Sequence, residues 1–361
     1  MPIDPPRPPF HTARLGAFAC AILLILSSCG LDGKASLYAS GPKKTQIRTL
    51  LSLIRTHGPE GEDPDPRSRF AAAESLSALL IGEKREGSAA ALLQGLAEED
   101  DAYASWYLFA AAAAYETRGE LALAIPLYER LVKTHSDLDL GGKSLHYEAL
   151  RRLARSAGRP ERKIEYYRDL VTRFPDAADT GASIFLLAKA YEAAGNWKEA
   201  LAAYSSFLPY IGAKVPGYPD AHQYARRLVE FNASPKDWTY ESLEDLVGKV
   251  RAALASGSSR QLRRLSARAG FFASSWFKDG EQDGNSKVNF DLGEFMQGRS
   301  IRSEPSLHPS SNSREAYLRT WGWTGRVPVW YLYFRRIDFP ADPEVHGRWE
   351  WAGIYFGERL R

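Results

Sequence analysis

Cysteine is nearly absent from this chain of 361 residues; Cys20 and Cys29, both near its start, are the only two. That excludes a disulfide-stapled scaffold and any zinc or iron–sulfur site built on thiolates. An excess of one charge is missing as well. The 47 basic and 44 acidic residues leave a formal net charge of +3, too close to balance for charge-driven nucleic-acid binding. The histidines are scattered with no pair four apart, so no helical metal pair is expected and no metal is called for. No Gly-x-Ser-x-Gly elbow occurs. Two motifs fall just short. Leu140-Gly141-Gly142-Lys143-Ser144 ends like a phosphate loop, but Asp137 stands where the opening glycine belongs, so a helix–helix turn is expected. Asp279 to Gly284 opens like a calcium loop, but Phe290 occupies the place of the closing glutamate, so a polar hairpin loop is expected. Without a constellation for catalysis or a cofactor, the chain is read as a non-enzyme.

What is present is an ordinary globular composition, 25% charged and 44% hydrophobic, of a length that fits about two domains. The one long apolar run is Leu15–Leu26. As a helix it spans about 18 Å, short of the ~30 Å hydrocarbon core, which fits a signal-peptide core rather than a membrane span. Leu26-Ser27-Ser28-Cys29-Gly30 follows it and resembles the lipobox of bacterial lipoproteins. The resemblance implies that residues 1–28 are removed, that Cys29 is lipidated, and that the Gly/Ser-rich residues 29–42 form a tether. It further implies a lipid-anchored protein of the bacterial cell envelope, at the outer membrane and facing the periplasm.

Between 103 and 212 three segments align, each with a glycine followed nine residues later by a tyrosine: Gly119/Tyr128, Gly158/Tyr167 and Gly195/Tyr204. Ala124 and Ala200 hold the place where two helices would cross, where the middle segment has Lys163. The pattern resembles the tetratricopeptide repeat, a pair of antiparallel helices, and implies an α-solenoid over 43–235. Residues 67–97 fit a degenerate repeat around Gly82 to Gly87, and 219–231 a terminal cap. Each tyrosine is expected to be buried between helices. Aligned to the family, Trp106, Phe109 and Glu116, then Glu148, Arg152 and Arg155, then Phe185, Lys189 and Glu192 face the concave side. The resemblance makes them the surface for another envelope protein or peptide segment.

After Pro235 the composition shifts, and six of the nine tryptophans fall between 276 and 351. Residues 236–361 are read as a Trp-rich α+β domain, helices first and an antiparallel sheet after, making the whole chain mainly α. Strand periodicity puts Trp330, Leu332 and Phe334 on one face, and pairs Trp321 with Trp323 and Trp349 with Trp351. Arg260, Arg264 and Arg268 would form a basic helical stripe. Two functions follow: a membrane-anchored interaction scaffold, or a periplasmic small-molecule or transporter-accessory binding protein that uses the sheet domain.

Overall fold

A helix can turn back on itself within two residues when one of them adopts a left-handed backbone, and three hairpins of this chain are closed that way. The computed structural model describes residues 38–55, 65–99, 102–276 and 292–358. The signal segment, Cys29, most of the tether and the Asp279–Gly284 loop lie outside the described residues. The chain divides into two compact units, Met1–Ser156 and Ala157–Arg361.

The first unit contains α1 (Lys44–Arg55), α2 (Pro66–Gly82), α3 (Glu86–Ala97), α4 (Ala104–Thr117), α5 (Leu121–Thr134) and α6 (Leu145–Ser156). Between α4 and α5 Gly119 has φ +77°, and Glu120 N–H donates to Tyr115 O at 3.0 Å. Between α2 and α3 the left-handed residue is Lys84 (φ +59°), with Arg85 N–H on Leu80 O at 2.9 Å. The degenerate repeat is thus a true helix pair whose turn uses neither Gly82 nor Gly87. The 140–144 segment is a turn before α6, where Asp137 accepts from Ser144 Oγ (2.6 Å) and from His146 N–H (3.0 Å). These bonds pull the Asp137 carboxyl below its usual pKa against the opposing effect of burial.

The second unit begins inside the middle segment. It comprises α7 (Pro160–Arg173), α8 (Thr180–Ala193), α9 (Trp197–Phe207), α10 (Ala221–Ala233), α11 (Leu243–Ala255), α12 (Ser259–Leu265), β1 (Phe272–Ser275), α13 (Leu292–Met296), β2 (Arg302–Ser303), β3 (Glu315–Trp321), β4 (Val329–Arg336) and β5 (Trp349–Phe356). Gly195 (φ +77°) closes α8 onto α9 as Gly119 does in the first unit, with Asn196 N–H on Tyr191 O at 2.9 Å. Gly158 stays outside the left-handed region, and Pro160 starts α7 instead. The sequence's least regular repeat is where the chain divides. Ala124 and Ala200 are fully buried, and Tyr128, Tyr167 and Tyr204 are buried as well.

The sheet runs β1-β5-β4-β3-β2. The expected antiparallel sheet is a mixed one, because β1 lies parallel to β5 while every other pair is antiparallel. Its chain leaves α12 at Ser266, bonds Ala267 N–H to Trp351 O (2.9 Å) and continues alongside β5 in the same direction. Gly353 makes room for this, since a Cβ there would meet the Phe272 ring at 2.6 Å. One sheet face, with Trp330, Leu332, Phe334, Trp351 and Ile354, packs against α11, α12 and α13. The opposite face carries Tyr317, Tyr331 and Tyr333 with Trp276 and Trp321 around them. Trp321 and Trp323 therefore part company. Gly322, at φ +98°, turns the chain so that Trp323 enters the first core and stacks on Trp330 at 4.3 Å.

A third cluster joins Phe185, Tyr204, Phe207, Ala225 and Phe231 to Trp238, Ala267, Ile337, Phe339 and Val345. This core draws on residues from both sides of the composition change at Pro235. Beside it Glu350, 2% exposed, accepts from Trp238 Nε1 (3.0 Å) and Arg335 Nε (2.8 Å), so a buried carboxylate is fully paired. The basic stripe is broken: α12 ends at Leu265, and Arg268 turns away to pair with Asp237 at 2.7 Å. Among the described residues no helix is long and apolar enough to cross a membrane.

Candidate functional site

Six of the nine residues expected on the inner face fall into two clusters, three in each unit, each built round a carboxylate. In the first unit, Glu116 sits in the last turn of α4 and Tyr128 in the middle of α5, twelve residues apart, so the Gly119 turn brings them together. Tyr128 Oη donates to Glu116 at 3.0 Å. Arg152 of α6 completes the cluster: its guanidinium bonds Glu116, reaches Tyr128 Oη at 3.2 Å and lies 5.2 Å from the Phe109 ring centre. Phe109 in turn meets Tyr128 edge-on at 5.6 Å. Burial pushes the Tyr128 hydroxyl well above its usual pKa, and Glu116 adds to that against the pull of Arg152. Arg152 is itself held above its ordinary value by Tyr128 and Glu116, which outweigh the burial that opposes its charge.

The second unit repeats the spacing. Tyr204 Oη of α9 donates to Glu192 of α8, and Tyr224 Oη of α10 donates to the same carboxylate at 2.9 Å. Lys189, one turn before Glu192, donates to it at 2.8 Å and stands 4.7 Å from the Tyr224 ring centre. Burial, followed by the bond to Glu192, raises both tyrosine hydroxyls. Lys189 is raised by Glu192 against the effect of burial.

These arrangements tie up most of the expected contact residues. Glu116, Arg152, Lys189 and Glu192 are half-buried and ion-paired within their clusters. Phe185 is fully buried, with Tyr204, Phe207, Tyr218 and Tyr224 round its ring, and has no surface to offer. Trp106 packs edge-on against Phe70 at 4.9 Å and remains half-buried. Glu148 pairs with Arg151 along α6 (3.4 Å). Arg155 alone of the nine is exposed. The spacing did not reveal Tyr224, or the 208–220 segment that lays Tyr210 over Gly181 and Tyr218 over Phe185. One signal was available: a glutamate twelve residues before the tyrosine in the first and third repeats, with Arg155 in its place in the middle one. Among the described residues no group of His, Cys, Asp and Glu could hold a metal ion.

Residues 182–208, the α8–α9 hairpin, match the tetratricopeptide repeat family. No curated protein matches the chain. With the hairpins described above, the match makes this a chain of tetratricopeptide-like helical repeats followed by a mixed sheet, and repeats of that kind mediate binding to other proteins or peptides.

Proposed function

We propose that this protein is a lipid-anchored scaffold of the bacterial cell envelope, not an enzyme, which binds an envelope protein or peptide segment through its helical repeats. The observation that carries the reading is the repeated hairpin itself, matched to the tetratricopeptide family at 182–208 and built on the same glutamate–tyrosine bond in both units. The anchor rests on Cys29 and the apolar run before it. The sheet face against the helices is filled by Trp323, Trp330 and Trp351, which favours the scaffold over a ligand-enclosing sheet. Arg155, exposed on α6, is the partner contact that can be altered without touching either cluster.

In-cell cross-linking of the tagged full chain followed by mass spectrometry tests the reading. Envelope proteins should dominate the capture, and Arg155→Glu should reduce it while leaving the melting temperature in place. Cys29→Ser should release the protein from sedimented membranes. Capture dominated by cytosolic proteins overturns the envelope assignment, and membrane retention of the Cys29 variant overturns the anchor.

A further inference from the structure

Away from both clusters, the second unit carries a groove of about 1160 Å³ between the end of α11, the α13 turn and the outer strand of the sheet. Among the described residues its charged lining is all of one sign: Arg251, Arg299 and Arg302, with no acidic side chain. Arg299 and Arg302 are exposed, and among the described residues neither has an ion-pair partner. Arg251 is already used, since its guanidinium holds the carbonyls of Glu304 and Pro305, both at 2.9 Å, and so fixes the wall of the groove. Trp321, half-buried at the end of β3, supplies an aromatic surface in the same lining. The close approach that shapes this corner depends on Gly322, where a Cβ would stand 2.6 Å from Ser300 O.

We propose that this groove binds an acidic, extended segment of a partner protein. Charge complementarity selects the sign of the ligand. The cations are arginines, whose planar forks take carboxylates two bonds at a time, and a tryptophan beside them is the residue type that anchors interfaces. Size argues for a chain over a small molecule, because single-ligand pockets run to about 300–1,000 Å³ and this groove exceeds that. Its course along β2, at the edge of the sheet, suits an extended strand-like segment.

The test is fluorescence anisotropy of the full chain with a labelled peptide of alternating Glu and Val, beside a Lys/Val peptide of equal length. The acidic peptide should bind, more weakly as salt rises, and the basic one should not. The Arg299→Glu, Arg302→Glu double variant should lose about ten-fold or more in affinity with an unchanged circular-dichroism melt. If the double variant melts early, Arg299→Glu alone carries the same expectation. No binding of the acidic peptide overturns the proposal, as does equal binding by the variant. Inorganic phosphate or vesicles of anionic lipid displacing the peptide would assign the groove to a headgroup or free anion instead. A dimer in sedimentation that the variant abolishes would assign it to a second copy of this chain.

Discussion

The first and third repeats share phenylalanine, tyrosine, glutamate, glycine and tyrosine at the same spacing: Phe109, Tyr115, Glu116, Gly119 and Tyr128 against Phe185, Tyr191, Glu192, Gly195 and Tyr204. They finish the shared motif differently. In the first unit the following helix sends a cation, Arg152, onto the carboxylate and the phenylalanine stays half-buried. In the second the cation comes from the same helix, the following one sends Tyr224, and Phe185 disappears into the core. The glutamate–tyrosine bond is thus a property of the repeat, whereas its third partner is set by whatever helix comes next. A half-buried carboxylate needs such partners, and either kind meets the need.

This comparison can be broken most forcefully at the tyrosines. Tyr204→Ala and Tyr128→Ala should each lower unfolding free energy by about 3–5 kcal/mol in urea titrations, because each empties a large ring's place in a packed core. Unchanged stability in both variants would mean that the shared motif does not hold the hairpins. Alkali should act on the same groups. Tyr128, Tyr204 and Tyr224 all have raised pKa values in the folded chain, from an ordinary value of 10.0. Their contribution is therefore complete below pH 10 and is lost as pH rises above it, since the unfolded chain gives up those protons first. Absorbance at 295 nm should show these phenols ionising last and together with unfolding, and Tyr204→Phe should soften the loss.

A finer test separates the two third partners. Arg152→Met leaves Glu116 with one tyrosine and should cost about 1–2 kcal/mol, while Lys189→Met leaves Glu192 with two and should cost less than about 1. Reversal of that order would show that the cation matters more than the count of donors. The turns bear on the same comparison through the backbone alone. Gly195→Ala meets no neighbour within 4 Å, so its cost of about 1–2 kcal/mol is that of the left-handed backbone alone. Lys84→Gly should instead stabilise the α2–α3 pair, by about 0.5–1 kcal/mol in thermal melts.

Much of the repeat was legible because glycine turns and crossing alanines are local requirements: Gly119, Gly195, Ala124 and Ala200 do what their spacing implied. The orientation of the inner face was less so. Tyr218 of the 208–220 segment and Tyr224, which no repeat pattern marks, pack against Phe185 and Lys189, and Phe185 is fully buried. The sheet was legible as strands but not as a topology, since alternation reports a face and says nothing of direction. β1 is four residues long and runs parallel to β5 through a contact that only Gly353 permits. Trp321 and Trp323 misled for a related reason, because period-two counting fails across a glycine with positive φ.

The buried Glu350 has a thermodynamic corollary. Its bonds to Trp238 and Arg335, and the shared packing of Phe231 with Phe339 (4.8 Å), couple the last helical hairpins to the sheet. Losing the helical side alone would remove the Trp238 donor and leave the buried Glu350 with Arg335 only, so partial unfolding of one without the other is costly. The third repeat and the strands should therefore lose structure as a single cooperative unit, protecting their amides from hydrogen exchange to the same free energy.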